Sequence, residues 1–132
     1  MRGATAVFAW IYLTSTVMAT ELTGSEIKDL ISEKTVYLRT TAASVTGSPG
    51  RGAIYYAASG TALYKTPKGV IWHGTWVIRD NTLCADWKEA PDNPCTKFDK
   101  QGRTISVINL VTGLIRAKIL KTKSGNAEKL AP

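Results

Sequence analysis

Apolar residues recur at every second position in the middle of the chain, which is the spacing of one face of a β-strand. Over residues 70–79 that face would carry Val70, Trp72, Gly74, Trp76 and Ile78. The opposite face is mixed and contains His73. Asp80 and Asn81 then interrupt the pattern, and both residue types tolerate the positive φ of a tight turn. Because the alternation resumes over residues 82–87, this stretch predicts a two-stranded hairpin.

The predicted hairpin places Trp72, Trp76 and Trp87 on one apolar face. One interpretation is that the three rings pack together in a core, as large aromatic side chains usually do. The other is that they form, with Tyr55, the wall of a ligand pocket on which a sugar or lipid stacks. The sequence leaves both interpretations open.

A single helix is predicted over residues 23–34. Thr23 and Glu26 have the spacing of a capping box, in which the hydroxyl and the carboxylate each accept a hydrogen bond from the other residue's backbone N–H. Apolar residues then recur at helical spacing and form a stripe. The residues of this stripe are Ile27, Leu30 and Ile31.

The pattern becomes that of short strands from residue 35 onward. Besides the hairpin, the strand-like segments are residues 36–38, 52–56, 62–65, 96–98, 103–111 and 114–121. Consecutive strands joined by tight turns favour an antiparallel meander, here of seven or eight strands over residues 35–121. A meander must cover or close its edges. We therefore expect a mainly β, β-rich α+β domain: an N-terminal helix followed by a meander curled or closed into a small lipocalin-like barrel. Residues 40–51 are predicted to form a mobile loop, and residues 124–132 a flexible tail.

Residues 1–19 have the features of a secretory signal peptide. Arg2 precedes an uncharged, largely apolar run, and Val17 and Ala19 suit signal peptidase, so we expect cleavage before Thr20. The run is too short for a standard membrane span. A buried N-terminal strand or helix is the alternative interpretation. With the signal peptide removed, residues 20–132 would form one domain and the chain would lack a transmembrane segment.

Two cysteines in an exported chain favour one disulfide, between Cys84 and Cys95. Closing a loop of this size stabilises by about 2–3 kcal/mol in the chain-entropy model. A metal site would need two more ligands, and His73 is the only other soft donor. The spacing is also not the C-x-x-C of redox pairs. We therefore predict neither a metal nor a cofactor.

The chain is basic, with a formal net charge of +7 that falls to +6 when Arg2 is lost with the signal peptide. The densest basic group lies in and after the last predicted strand, where alternation places Arg116 and Lys118 on the outward face. The predicted patch consists of Arg116, Lys118, Lys121 and Lys123. An exported protein seldom meets nucleic acid, so the expected partner is an anionic envelope component or an acidic protein. A basic surface that serves only solubility is the alternative.

No nucleophile, metalloprotease or phosphate-loop motif occurs in the sequence. His73 lies on the mixed face of its strand, and the nearby carboxylates of residues 86–92 are interspersed with Lys88, which favours a solvated turn over a catalytic pair. We therefore predict a non-enzymatic binding or envelope-associated protein, periplasmic or secreted. The alternative is a small carrier of an apolar ligand. Neither the partner nor the oligomeric state is specified by the sequence.

Six segments together resemble a family of small exported bacterial proteins whose domain has no assigned function. They are LTGSEI, RGAIYY, YKTPKGVIWHGTW, LCADWKEAPDNPC, KFDKQG and AKILKT followed by GNAEKL. The W-x-G-x-W stretch at Trp72 to Trp76 and the downstream cysteine pair are the most specific of these. The resemblance implies an envelope or secreted location and transfers no catalytic residue. A looser similarity to lipocalin-like barrels depends on the meander alone.

Overall fold

The computed structural model describes residues 3–7 and 18–132, so the predicted signal peptide lies largely outside the described residues. The described part contains one helix and nine strands. In chain order they are β1 (Thr20–Glu21), α1 (Gly24–Ile31), β2 (Lys34–Thr40), β3 (Gly50–Tyr56), β4 (Thr61–Lys65), β5 (Ile71–Arg79), β6 (Thr82–Trp87), β7 (Thr96–Gln101), β8 (Thr104–Asn109) and β9 (Ile115–Ser124).

Strands β2 to β9 form a closed antiparallel barrel of eight strands. Each strand pairs with the next along the chain, and β9 returns to pair with β2. The short strand β1 lies outside the barrel and pairs with the end of β7. The prediction of a mainly β domain and a barrel is therefore confirmed. Its likeness to lipocalins stays a prediction.

The helix differs from its prediction in position and length. The Thr23 capping box forms as expected, with both reciprocal hydrogen bonds present. However, β1 precedes the helix, and α1 ends at Ile31 rather than at residue 34. It ends there because Glu33 takes a left-handed φ of 58° and Lys34 already pairs in β2. The prediction of an N-terminal helix over residues 23–34 is therefore wrong.

Helix α1 covers one end of the barrel, which we call the helix end. The side chains of Ile27 and Ile31 are completely buried there. The backbone N–H of Gly24 donates to the Asn81 side chain in the β5–β6 turn, at 2.9 Å. The opposite end carries the longer loops, residues 41–49, 66–70, 88–95 and 110–114, and we call it the mouth end.

The β5–β6 hairpin forms in the predicted register. Arg79 pairs with Thr82, and Asp80 takes the positive φ, 52°, that the tight turn requires. Trp87 is buried in the hydrophobic core, and Trp72 and Trp76 pack against that core. The hairpin prediction is therefore confirmed.

The disulfide joins Cys84 and Cys95, as predicted. It lies at the weakest join of the barrel, because β6 and β7 share only the residue pair Leu83 and Thr96. Each cysteine directly neighbours one member of that pair. The covalent bond therefore holds the barrel closed where the hydrogen-bond ladder is shortest.

Residues 125–132, part of the predicted flexible tail, are folded back against the barrel. The Thr35 hydroxyl donates to the Gly125 carbonyl at 2.7 Å and accepts from the Ala127 N–H at 3.0 Å. The Asn126 side chain hydrogen-bonds both backbone groups of Leu130, whose side chain is buried. A frayed tail was expected from its small and polar residues, but these same residues make the anchoring hydrogen bonds.

Candidate functional site

A cavity of about 80 Å³ lies inside the barrel and reaches the mouth end. Its walls are mainly apolar and aromatic, and include Val36, Ile54, Tyr64, Trp87, Phe98 and Val107. At the mouth its lining becomes polar, with Thr40, Ser44, Asn93 and Arg116. The barrel is therefore not completely filled by its own side chains.

Two inward-facing glycines make room for the aromatic walls. A Cβ on Gly52 would lie 2.7 Å from the Tyr64 ring, and a Cβ on Gly74 would lie 2.8 Å from the Trp87 ring. Tyr64 also contacts the edge of Trp72, with ring centroids 6.1 Å apart. The Tyr64 and Trp87 rings therefore occupy space that a side chain at residue 52 or 74 would fill.

The structure does not bring the four predicted pocket residues together around this cavity. Only Trp87 lines it. Trp76 donates its Nε1–H to the Ala57 carbonyl at 2.8 Å, and its ring packs against Tyr56. Trp72 packs against Tyr64, and neither tryptophan lines the cavity. Tyr55 lies on the outside of β3, where it lines a separate pocket of about 230 Å³ together with Leu130.

Arg116 lies at the mouth of the cavity and not on the outer face for which we predicted it. The pairing of β9 with β8 shifts here, since Ile108 pairs with Ile115 and Val107 with Ala117, which leaves Arg116 as the extra residue of a β-bulge. Bulges interrupt the alternation of a strand and re-aim a side chain. The prediction that Arg116 shares a surface with Lys118 is therefore wrong.

The Arg116 guanidinium is half-buried and has little to compensate its charge. Its one hydrogen bond in the described structure is a long one, 3.4 Å from Nη1 to the Pro94 carbonyl. Desolvation lowers the pKa of Arg116 from its ordinary value, although the charge of nearby Asp92 and the Tyr64 hydroxyl oppose this shift. Among the described residues Arg116 forms no ion pair.

Burial also affects the tyrosines of the interior. Desolvation raises the pKa of Tyr64 to about 12, against the opposing effects of a hydrogen bond with Thr46 and of the Arg116 charge. Desolvation likewise raises the pKa of Tyr56. Both hydroxyls are therefore neutral at physiological pH, and that of Tyr64 can donate a hydrogen bond near Arg116.

The other three residues of the predicted patch do share the outer surface of β9. A second bulge, at Leu120, restores the outward direction of Lys121 after Lys118, because Ile119 pairs with Leu38 while Lys121 pairs with Tyr37. The ammonium groups of Lys121 and Lys123 lie 5.0 and 5.6 Å from the centre of the Tyr37 ring. Both distances suit cation–π attraction.

Two arginines that the sequence did not reveal join this surface. Arg39 of β2 lies between Arg51 of β3 on one side and Lys118 of β9 on the other, in direct cross-strand register. All three side chains are exposed. We call the whole surface the basic face. It consists of Arg39, Arg51, Lys118, Lys121 and Lys123.

An apolar loop stands next to the basic face at the mouth end. The loop joins β8 to β9, and its tip residue Val111 is 82% exposed. The Asn109 side chain accepts hydrogen bonds from the backbone of Val111 and Thr112, which holds the loop in one conformation. The loop and the first residue of β9 together display four large aliphatic side chains, those of Leu110, Val111, Leu114 and Ile115.

The side chains of His73 and Glu89 form a hydrogen bond on the outer surface, 2.9 Å between Nδ1 and Oε1. The Glu89 carboxylate also accepts the backbone N–H of His73 at 2.9 Å. Desolvation has the largest single effect on the pKa of Glu89 and raises it, but the hydrogen bonds from His73 together outweigh it and leave that pKa below its ordinary value. The pair lies away from the cavity and ties the loop after β6 to β5.

No family model matches this chain, and neither a curated protein nor a solved structure does. The described residues contain no cluster of metal-ligating side chains. None of their helices is both long and apolar enough to cross a membrane. The resemblance to a family of exported proteins stays a prediction.

Proposed function

We propose that this protein is an exported, non-enzymatic binding protein that docks on the anionic lipid surface of the cell envelope, in the periplasm or outside the cell. The observation that carries the proposal is the in-register row of Arg51, Arg39 and Lys118 across three neighbouring strands. The disulfide is consistent with an oxidising, exported environment.

Like charges placed directly opposite each other destabilise a sheet. None of the three cations in the row forms an ion pair with another described residue, so the fold itself does not compensate this repulsion. An anionic surface would do so. Each basic residue close to such a surface contributes about 1 kcal/mol to binding at physiological ionic strength.

The apolar loop favours lipid over the other anionic partners, which are acidic polysaccharide and acidic protein. Leu114 is 55% exposed and Val111 more so, and neither packs in the barrel. Apolar side chains beside cations are typical of segments that enter the boundary between headgroups and acyl chains. A hydrated polysaccharide offers no acyl-chain interior into which these aliphatic side chains could insert.

Vesicle co-sedimentation tests the charge contribution. The parent protein is expected to bind vesicles rich in anionic lipid and not to bind neutral vesicles. It should dissociate from the anionic vesicles as the salt concentration rises, because salt screens exposed charges. Arg39→Glu with Lys118→Glu should abolish binding with little change in melting temperature, since both side chains are exposed. The matched control is Arg79→Glu with Arg103→Glu, which makes the same charge change at the helix end.

A second pair of variants tests the lipid assignment. Val111→Ser with Leu114→Ser should weaken vesicle binding several-fold, whereas Val77→Ser, at an exposed strand position outside the loop, should not. Equal vesicle binding by the loop variants and the parent would contradict insertion. If the charge reversal then abolished binding to cell-wall sacculi alone, the partner would be a polysaccharide and the lipid assignment would be wrong.

The alternative function, a carrier of an apolar ligand, has one observation in its favour, the cavity inside the barrel. The predicted aromatic pocket does not form as such, because Tyr55, Trp72 and Trp76 do not line that cavity. The charge at its mouth also changes the kind of ligand that it suits.

A further inference from the structure

The internal cavity combines an apolar interior with one cation at its opening. The Arg116 side chain reaches the lining because the bulge in β9 turns it there. Buried charges in proteins are normally paired or fully hydrogen-bonded. Arg116 makes a single long hydrogen bond and no ion pair among the described residues, so most of its donors are available to a ligand.

The Tyr64 hydroxyl supplies a second donor in the same place. Tyr64 and Arg116 both line the cavity, and the charge of each influences the ionisation of the other. A carboxylate accepts two parallel hydrogen bonds from a guanidinium and has lone pairs left for a hydroxyl. The mouth therefore offers the donors that one carboxylate requires.

Asp92 limits the charge that the mouth accepts. Its carboxylate lies near enough to raise the pKa of Arg116, although no ion pair forms between them. A dianion such as phosphate would place a second negative charge next to this carboxylate, and it could not shed its hydration against apolar walls. A monoanion suits the site better.

The volume limits the length of the ligand. An apolar cavity of about 150 Å³ accommodates benzene. This one has about 80 Å³. The part of the ligand inside the barrel is therefore a short chain of a few carbon atoms, in contact with Trp87 and Phe98.

We propose that the cavity binds a short-chain monocarboxylate, with its carboxylate on Arg116 and the Tyr64 hydroxyl and its alkyl end inside the barrel. The proposal concerns reversible binding, in which no covalent bond is made or broken. The site is independent of the proposed docking on lipid, because it uses none of the residues of the basic face.

Nuclear magnetic resonance titration with butyrate tests the site. Butyrate should shift the amide resonances of Phe98 and Ala117 in a saturable way. Butanol and butylammonium match the alkyl chain without the negative charge, and both should bind at least about tenfold more weakly, since a hydrogen bond to a charged group contributes that much. Phosphate should not shift the same resonances.

Two variants at the mouth and one control assign the anion contact. Arg116→Gln should remove the preference for butyrate over butanol, and Arg116→Lys should retain part of it because the charge remains. Arg103→Gln makes the same substitution at an exposed arginine in the β7–β8 turn, at the helix end, and should bind butyrate as the parent does. Equal binding of butyrate and butanol by the parent, or the absence of any saturable shift with butyrate, would overturn the proposal.

Discussion

Gly74 shows at the scale of one residue how the aromatic core depends on a missing side chain. It faces inward on β5 between two tryptophans of the same strand, and the Trp87 ring of β6 packs over its Cα. A Cβ at this position would collide with the Asp86 carbonyl oxygen and lie 2.8 Å from the Trp87 ring. Backbone cannot move away as a flexible side chain can, so the collision has to separate β5 from β6.

We expect Gly74→Ala to destabilise the protein by about 1–3 kcal/mol, the usual cost of overpacking a well-packed core. The free energy of unfolding in urea measures it. Thr75→Ala, at the adjacent outward and exposed position, is the control and should change stability by less than about 0.5 kcal/mol. An equal effect of the two substitutions would mean that strand propensity, and not the packing of Trp87, determines the cost.

Tyr64 makes the stability depend on pH in the alkaline range. Desolvation raises its pKa from 10.0 to about 12 in the folded protein. A group whose pKa is raised by folding contributes stability below its unfolded pKa and loses that contribution as the pH rises through the folded value. The contribution of Tyr64 is therefore complete below about pH 10 and declines between there and pH 12.

We expect the urea midpoint of the parent to fall more steeply over this range than that of Tyr64→Phe. The pKa of Tyr56 is also raised, first by burial and second by the charge of Tyr64. Tyr56 is present in both proteins, so its burial cancels in the comparison, and the Tyr64 charge is part of the difference that the experiment measures. Parallel pH profiles for the two proteins would show that the Tyr64 hydroxyl reaches solvent through the mouth.

At the scale of elements, the join between β6 and β7 is the part of the barrel that most depends on a covalent bond. One residue pair, Leu83 with Thr96, connects the two strands, and the Thr96 hydroxyl adds a long hydrogen bond of 3.4 Å to the Leu83 carbonyl. Neighbouring strand pairs have four or more such residue pairs. Opening of the barrel is therefore easiest here.

Reduction of the disulfide should lower the free energy of unfolding by about 2–3 kcal/mol while the barrel persists. Hydrogen exchange should accelerate first at the amides of Leu83 and Thr96. The double variant Cys84→Ala, Cys95→Ala is the control, because reductant should not affect it. Complete unfolding on reduction would contradict a role confined to this join.

The elements that could be predicted from the sequence are those whose conformation is determined by residues close to one another along the chain. The hairpin turn at Asp80 and the capping box at Thr23 each follow from neighbouring residues, and both are present. The bulge at Arg116 could not be predicted, because the apolar–polar alternation of residues 115–119 continues through it and only the pairing with β8 reveals the extra residue. At Leu120 the alternation does break, but only the pairing with β2 shows that the break is a bulge within the strand.

The same limit applies to the candidate sites. Arg39 and Arg51 border a loop and are distant in sequence from Lys118, so their cluster exists only through the strand register that closes the barrel. A one-residue shift in that register would turn every side chain of β9 to the other face. The density of charge along the chain was enough to identify the lysines of β9. It could not identify the neighbouring arginines of β2 and β3, nor show that Arg116 points into the cavity.

At the scale of the whole molecule, the two proposed sites share one end of the barrel. The apolar loop and the cavity mouth are at the mouth end, and the row formed by Arg39, Arg51 and Lys118 lies within three residues of where β2, β3 and β9 meet its loops. Helix α1 covers the other end. A protein docked through this row, at the mouth end of the basic face, would therefore hold the apolar loop in the lipid boundary and α1 away from it.

Hydrogen exchange with anionic vesicles should show this orientation directly. The amide N–H groups of Val111 and Thr112 donate solvent-exposed hydrogen bonds only to the Asn109 side chain, so we expect them to exchange readily in the free protein. Their exchange should slow when the loop enters the headgroup region. The amides of the β5–β6 turn and of α1 at the helix end should keep their rates. Neutral vesicles are the control and should leave both regions unchanged. Slower exchange at α1 in place of the loop would mean that the helix end docks, and the row of Arg39, Arg51 and Lys118 would then have no part in the contact.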